Sequence, residues 1–261
     1  MSLAPAVSSE WVKFRSVRST IYALIATIVL SVGISALICF AQRQQWSQEK
    51  LAEHIAFDAT ATSLSGFFFA EIAIGVIGVI IMTSEYSSGS IRSSLLATPK
   101  RLVVLAAKSI VLFASTLVVG ELCSFASFFV GQSILAPVTG GATLSTPGSL
   151  RAIILGGVSL ALLALFALGI GTVVRHTAGS ITVYVCCTFV AFLIVLALPN
   201  SWSMHVFRYL PQILTSSMRS SHPGSDQFGT LFSPAAATVV LAGYALAALV
   251  GGAIVLVRND A

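Results

Sequence analysis

Charged side chains are scarce in this chain of 261 residues. Lys, Arg, Asp and Glu make up 9% of it, whereas a soluble domain carries about 25%. So few charges cannot cover a water-facing surface, and 56% of the residues are hydrophobic. The composition excludes a water-soluble globular enzyme, a disordered chain and a disulfide-rich secreted module.

Metal-binding and redox patterns are also absent from the sequence. The four cysteines, Cys39, Cys123, Cys186 and Cys187, lie within apolar runs without C-x-x-C spacing, so we predict buried, unpaired thiols. The four histidines show no ligand spacing, and we expect no metal site. The net charge of +5 comes from basic residues scattered between apolar runs, which favours membrane orientation over nucleic-acid binding.

Long apolar stretches are what the sequence does contain. A transmembrane helix needs about 20 apolar residues to cross roughly 30 Å of hydrocarbon, and six stretches meet this requirement. They run approximately over Thr20–Ala41, Thr62–Thr83, Val103–Leu135, Ala152–Val174, Ser180–Leu198 and Pro234–Val257. Period-two alternation is missing, which excludes a transmembrane barrel. The sequence therefore predicts an all-α polytopic membrane protein with one transmembrane domain over residues 1–261.

The basic residues predict the orientation of these spans. Nine fall on one side of the membrane: Lys13, Arg15, Arg18, Arg92, Lys100, Arg101, Lys108, Arg175 and Arg258. Five fall on the other side: Arg43, Lys50, Arg151, Arg208 and Arg219. The richer side is expected to be cytoplasmic, which places both termini inside and the loops 42–61, 136–151 and 199–233 outside. Because the third span is longer than needed, we expect its first turns, with Lys108, to lie at the headgroup level.

The segment before the first span has an amphipathic pattern. Val7, Trp11 and Phe14 recur at helical spacing, and basic side chains lie between and after them. This pattern predicts an interfacial helix at the membrane surface. Its residues of interest are Trp11, Lys13, Phe14, Arg15 and Arg18. The helix either fixes only the topology or also braces a cytoplasmic partner.

Between the second and third spans lies a segment with a distinctive pattern. It reads Glu-Tyr-x-x-Gly-x-Ile-Arg-x-x-Leu-x-x-x-Pro-x-Arg from Glu85 to Arg101, and Ala-Lys follows shortly after. Gly89 permits a bend, and Ile91 and Leu95 give a short helix one apolar edge before Pro99 stops it. From physical chemistry alone, an ordinary basic cytoplasmic loop is the favoured interpretation of this segment.

This segment resembles the cytoplasmic loop of type-2 ATP-binding-cassette permeases, the family of drug, lantibiotic and polysaccharide exporters. The opening Ser-Glu-Trp-x-Lys-x-Arg-Ser-x-Arg-Ser-Thr is similar to their N-terminal interfacial segment. The resemblance implies that the loop contains a coupling helix, which docks into a groove of a separate ATPase subunit. The docking residues would be drawn from Glu85, Tyr86, Gly89, Ile91, Arg92, Leu95 and Leu96.

The resemblance also implies an assembly. The sequence has no G-x-x-x-x-G-K-[ST] phosphate loop, so ATP and Mg²⁺ are expected on the partner, with no cofactor and no enzymatic activity on this chain. A permease of six spans would form half of a translocation pathway in the cell membrane. Its partners would be an ABC ATPase, a second permease of the same or a homologous kind, and membrane lipids. The cargo and the direction of transport do not follow from the residues.

Two acidic residues, Glu71 and Glu121, fall inside predicted spans, the first about midway along its span. An ionised, lipid-facing carboxylate is costly in hydrocarbon, so both are expected to face the bundle interior, a cavity or a partner, or else to be protonated. They are therefore either functional or polar contacts between helices.

The outer loop 199–233 places Trp202, Val206 and Tyr209 at helical spacing. This spacing predicts a short helix at the outer leaflet, similar to the re-entrant external helices of the same family. An aromatic belt is the alternative interpretation.

Three rival functions make different demands on the sequence. An intramembrane hydrolase lacks its signatures here, because no H-E-x-x-H and no G-x-S-x-G occurs in the chain. The alternative to an ABC permease is a proton- or ion-coupled secondary transporter or channel that uses Glu71 and Glu121. An assembly or immunity factor on the same scaffold is the third possibility.

The predicted topology is testable by cysteine labelling from outside intact cells. Ser225→Cys, in an outer loop, should react with an impermeant thiol reagent, whereas Ser2→Cys, at the cytoplasmic N-terminus, should be protected. The reverse pattern would overturn the topology.

Overall fold

The computed structural model describes residues 3–48, 54, 57–90, 101–197, 206–222 and 231–258. The protein is 87% helical, and no strand occurs among the described residues. The all-α fold class is confirmed.

Ten α-helices are formed wholly by the described residues. They are α1 (Leu3–Ser16), α2 (Arg18–Gln45), α3 (Ala59–Ser63), α4 (Phe67–Ser87), α5 (Arg101–Thr139), α6 (Ser149–Val174), α7 (Thr177–Val185), α8 (Ala191–Leu196), α9 (Pro211–Arg219) and α10 (Pro234–Arg258). A 3₁₀ turn, Trp46–Gln48, follows α2, and a π-helical turn, Cys186–Val190, joins α7 to α8.

Six helical stretches are long and apolar enough to span a membrane, as predicted. They are Thr20–Gln45, Phe67–Ser87, Arg101–Thr139, Ser149–Val174, Thr177–Leu196 and Pro234–Arg258. The third has 39 residues and is about 58 Å long at 1.5 Å per residue, so it extends beyond the hydrocarbon. It includes Pro137, which the sequence had placed in the loop after the span.

Helix α6 is the centre of the bundle. It packs most extensively against α4, α5 and α10, and 72% of its most apolar stretch is buried. The corresponding share is only 22% for α2 and for α10, whose other faces point away from the chain. Apolar burial therefore fixes α4, α5 and α6 most strongly, while the peripheral spans are available to lipid or to another subunit.

The two sides predicted from the basic residues correspond to the two ends of the bundle. The inner end is formed by α1 and the C-terminal ends of α4, α6 and α10, where Arg101 and Arg175 donate to carbonyls of α10. The outer end is formed by α3, α9 and the N-terminus of α6, where Arg151 and Arg219 lie. That the inner end faces the cytoplasm stays a prediction.

Two local predictions need correction. Arg18 is the first residue of α2 and not part of α1, because Val17 adopts an extended backbone between the two helices. Cys39 and Cys123 are buried as expected, but Cys186 and Cys187 are exposed in the π-helical turn.

The predicted helix of the outer loop lies partly outside the described residues, since Trp202 is not among them. Val206 and Phe207 are helical, and Val206 and Tyr209 are 44% and 42% exposed, so the helix at the outer leaflet stays a prediction. A further helix, which the sequence did not predict, follows over Pro211–Arg219, with proline at its first turn, and every residue of it except Ser216 is buried. Helix α9 packs within the bundle, because Leu214 and Met218 contact the apolar core of α6 and α10.

Gly169 provides a test of the contact between α6 and α10. A Cβ at Gly169 would lie 2.5 Å from the carbonyl carbon of Ala248, whereas a Cβ at Gly243 would meet no atom within 4 Å. Gly169→Ala should therefore destabilise the protein by about 1 to 3 kcal/mol through overpacking. Gly243→Ala is the matched control and should leave stability unchanged. Thermal unfolding in detergent measures both, and equal melting temperatures would contradict the close approach of the two helices.

Candidate functional site

Four charged side chains meet at the inner end of the bundle, and we call them the inner ion cluster. Glu10 and Lys13 come from α1, Glu85 from the end of α4, and Lys108 from the second turn of α5. The cluster therefore joins three helices that are far apart in sequence.

Lys108 is the central member of the inner ion cluster. Its Nζ lies 2.7 Å from Glu10 Oε2 and 2.7 Å from Glu85 Oε1. Lys108 is only 3% exposed, and the two glutamates are each 8% exposed. A buried ammonium is stable only when it is paired, so this cation ties α1 and α4 to α5. That the first turns of this helix lie at the headgroup level stays a prediction, and the side chain of Lys108 points into the protein.

Lys13 completes the inner ion cluster from its rim. Its Nζ donates to Glu10 Oε1 at 2.8 Å and to Glu85 Oε1 at 3.0 Å. Burial lowers the pKa of Lys13, but the hydrogen bonds to the two carboxylates outweigh this effect, so the pKa is raised. The cluster thus contains two cations and two anions.

Helix α1 contacts the bundle through polar and apolar side chains. Ala6 and Glu10 are buried, and Phe14, a member of the predicted apolar pattern, packs against the core. Trp11 is 47% exposed and stacks on Phe14 with ring centroids 6.2 Å apart. No role was predicted for Glu10, although it stands in the Ser-Glu-Trp motif.

Tyr86, the residue after Glu85, is contacted from the opposite side. The guanidinium of Arg175 lies over the Tyr86 ring at 5.3 Å, and its Nη2 donates to the carbonyl of Val255 at 2.9 Å. Arg175 caps the C-terminus of α6 in a left-handed conformation with φ of 61°. Arg101 donates to the carbonyl of Leu256 at 2.8 Å. These arginines bind the last turn of α10, where the helix dipole favours positive charge.

The predicted coupling segment, residues 85–99, is described only at its beginning. Glu85 and Tyr86 lie in the last turn of α4, and Gly89 has a φ of +70°, which supplies the bend that its sequence position predicted. Ile91, Arg92, Leu95 and Leu96 lie outside the described residues.

A second charged contact, here called the outer ion pair, joins Glu71 to Arg219. Arg219 Nη1 donates to Glu71 Oε1 at 2.5 Å, and its guanidinium lies over the ring of Phe67 at 5.3 Å. The side chains of Glu71 and Arg219 are 1% and 8% exposed. Glu71 is the fifth residue of α4, so it lies near the outer end of its span and not midway along it.

The chain after α9 is also fixed at the outer end. Asp58 accepts hydrogen bonds from the Ser221 N–H at 2.7 Å and from its hydroxyl at 2.8 Å. Arg151 donates to the carbonyls of Ser220 and Ser221 at 3.0 and 3.2 Å. These contacts and the outer ion pair attach α9 to α3, α4 and α6.

Glu121 has different surroundings from Glu71. Its carboxylate lies against Gly157 of α6, where a Cβ would come within 2.4 Å of Glu121 Oε1. Its Oε2 is buried and has no hydrogen-bond partner among the described residues. The glycine thus provides the space for the carboxylate, and the prediction that Glu121 avoids lipid stays open.

A family model described as ABC-2 family transporter protein matches residues 6–211. The chain belongs to this family. It is therefore a multi-pass membrane protein and a permease component of an ABC transporter. Such a permease is not itself a catalytic enzyme, and the family implies association with an ABC ATPase. No curated protein matches the chain.

Sequence reasoning missed the buried charged contacts of three residues of this ABC-2 permease. Lys108 was placed only by the depth of its helix, Glu10 was given no role, and Arg219 was placed in an outer loop. Two features of the sequence could have indicated the position of Arg219. Pro211 followed by Leu214 and Met218 at helical spacing is typical of a short packed helix, and the intramembrane Glu71 requires a cation. Arg219 lies beyond the matched residues, so the family match includes only Glu71 of the outer ion pair.

The outer ion pair of the ABC-2 permease predicts a large stability effect. Arg219→Leu would leave the carboxylate of Glu71 buried without its cation and should destabilise the protein by about 3 to 5 kcal/mol. Adding Glu71→Leu removes that carboxylate and should restore most of the loss. Arg43→Leu, at an exposed arginine, is the control and should be neutral. Thermal unfolding in detergent tests this, and equal unfolding of the single and double variants would contradict it.

Proposed function

We propose that this permease forms half of the translocation pathway of an ABC exporter and that residues 85–99 couple it to a separate ATPase subunit. ATP and Mg²⁺ bind to that subunit, since this chain has no phosphate loop. Both termini lie in the cytoplasm, and the membrane is the cell membrane. Export follows from the resemblance of the cytoplasmic segments to the exporter families.

The observation that carries this proposal is the way the last turn of α4 is fixed. Glu85 is bonded by Lys108 and Lys13 on one side, and Tyr86 is contacted by Arg175 on the other. Lys108 belongs to α5, and Arg175 lies between α6 and α7 while also binding α10. A displacement of the coupling segment would therefore move four spans together and not α4 alone.

Helix α1 takes part in the same connection. Its Glu10 shares Lys108 with Glu85, so α1 is bonded to the end of α4 through one buried cation. This arrangement favours the interpretation in which the interfacial helix braces the coupling region. Trp11, Arg15 and Arg18 remain exposed or half-exposed and are available to headgroups or to the ATPase.

The second half of the pathway would come from a second permease. Helices α2 and α10 have most of their apolar stretches unburied, and α7 with α8 is buried over only 28% of its stretch. These faces offer a surface for a second permease and for lipid. Homodimer and heterodimer are both compatible with this surface.

The secondary-transporter alternative is weakened by the outer ion pair. Glu71 is bonded to Arg219 and is not a solitary carboxylate that exchanges protons along a pathway. Glu121, whose Oε2 has no hydrogen-bond partner among the described residues, is the carboxylate that this alternative would still use. Transport driven by ATP without a proton gradient would support the ABC mechanism, and transport driven by a proton gradient without ATP would support the alternative.

The coupling role is tested by charged substitutions on the apolar edge of the segment. Ile91→Asp or Leu95→Asp should weaken binding of the ATPase about tenfold or more, because a small docked helix depends on a few apolar anchors. Ser93→Ala is the control and should be silent. Co-purification, ATP hydrolysis and cargo flux in reconstituted vesicles are the measurements. Parental values for both Asp variants would remove this segment from the mechanism.

A second arm of the same experiment separates docking from transmission. Lys108→Met removes the buried cation that joins α4, α5 and α1, so the ATPase should still co-purify while cargo flux per ATP falls. Arg258→Gln, at an exposed residue of the inner end, is the control. Unchanged coupling in properly folded Lys108→Met would exclude the inner ion cluster from transmission.

A further inference from the structure

One carboxylate within the six spans has no counter-charge. Glu121 forms no hydrogen bond and no ion pair with the described residues, whereas Glu71 and Glu85 are bonded to basic side chains. Its Oε2 is buried, so a ligand cannot reach that atom. Its Oε1 remains accessible at the surface of the chain, where Glu121 is half-buried. A donor from outside the chain can therefore bind Glu121 through Oε1.

The depth of Glu121 makes this missing charge costly. Its carboxylate lies against Gly157, the ninth residue of α6, which is about 12 Å from the outer end of that helix at 1.5 Å per residue. Helix α6 is about 39 Å long, and the hydrocarbon of a bilayer is about 30 Å thick, so this point lies inside the apolar layer. A carboxylate at this depth requires a cation or a proton beside it.

A second copy of the chain does not offer that cation. Within the six spans, the basic residues all lie near the helix ends: Arg43, Arg101, Lys108, Arg151 and Arg258. The most deeply placed of them, Lys108, is already bonded to Glu10 and Glu85. A cation that fits Glu121 therefore belongs to a ligand and not to an identical subunit.

An apolar groove of about 360 Å³ lies between α5 and α10. Three of its side chains, Leu102, Ile110 and Val250, are 55%, 44% and 50% exposed, so the groove is open at the surface of two spans. Its volume falls within the range of small-molecule pockets, about 300 to 1,000 Å³. The residues that line it are Leu102, Leu105, Ala106, Ser109, Ile110, Leu249, Val250 and Ala253. This lining suits a hydrocarbon chain.

The groove and Glu121 share one face of α5. Ala106, Ile110, Leu117 and Glu121 follow each other at helical spacing, so they lie on the same side of the helix. Each of these four residues is exposed or half-buried. Ile110 and Glu121 are separated by about 16 Å along the helix axis. An alkyl chain such as that of hexadecylamine spans this distance.

We propose that Glu121 and this groove bind an amphipathic amine, a long-chain primary ammonium ion. The ammonium donates to Glu121 Oε1, and the alkyl chain lies along α5 into the groove. The bound pair is neutral whether the proton comes with the amine or is already on the carboxyl group, so no net charge enters the hydrocarbon. This binding does not depend on the proposed coupling to an ATPase.

The full-length permease in a non-ionic detergent is the sample for the test. Hexadecylamine, hexadecanol and hexadecanoic acid, which have the same chain length, are added separately. Native mass spectrometry measures retained ligand, and thermal unfolding measures stabilisation. We expect the amine to be retained about tenfold better than the alcohol, because it gains one charge-assisted hydrogen bond. Equal retention of amine and alcohol, preferential retention of the acid, or no retention of the amine would overturn the proposal.

A substitution at the carboxylate tests the contact with the ammonium. Glu121→Gln keeps the shape of the side chain and should remove the preference for the amine over the alcohol, with Glu121→Leu as the second variant if the first fails to fold. Ser115→Ala is the control, since Ser115 lies on a different face of α5 and donates to the carbonyl of Val111. A preference that persists in the folded Glu121 variants would exclude Glu121 as the acceptor.

A final arm tests the position of the alkyl chain. Ile110→Trp fills the groove and should lower retention of hexadecylamine, whereas Leu193→Trp, at a residue of α8 that is 62% exposed, should not. Equal retention by these two variants would exclude the groove as the site of the chain. Butylamine, which has the ammonium but only a short chain, should stabilise the permease far less than hexadecylamine at equal concentration. Equal stabilisation by both amines would overturn the assignment to an amphipathic ligand.

Discussion

The structure depends on one constraint: a charged group inside a membrane protein must find its partner within the protein. In hydrocarbon no water is available to solvate it, so each buried charge selects a specific contact. Apolar spans can slide or rotate against each other at little cost, because lipid is as apolar as they are. Charged contacts such as Lys108 with Glu85, and Arg219 with Glu71, remove that freedom.

At the inner end this constraint produces a connection between elements that the chain does not join directly. Lys108 binds carboxylates from α1 and α4, while Arg175 and Arg101 bind the last turn of α10. All of these contacts surround the point where α4 leaves the bundle. A partner that pulls on the following segment would act on this connected unit and not on α4 alone.

At the outer end the same constraint fixes a short helix that by itself would be unstable. Helix α9 has nine residues, fewer than an isolated helix needs in water. Its apolar residues pack against α6 and α10, and Arg219 at its C-terminus binds Glu71. Asp58 and Arg151 then fix the chain that follows. The position of this segment at the outer end thus depends on apolar packing, on one buried ion pair and on the hydrogen bonds of Asp58 and Arg151.

The sequence by itself determined the fold class, six spans, their limits to within a few residues and the sorting of basic residues into two sides. These properties depend on local composition and on charge counts, which need no knowledge of neighbours. It also identified Glu71 and Glu121 as carboxyl groups within spans and Glu85 as a member of the coupling segment. Only the tertiary structure decided their partners, because Glu10 with Lys108 and Glu71 with Arg219 are separated by 98 and 148 positions. Contacts at such separations follow from how the apolar faces pack, and no local pattern records them.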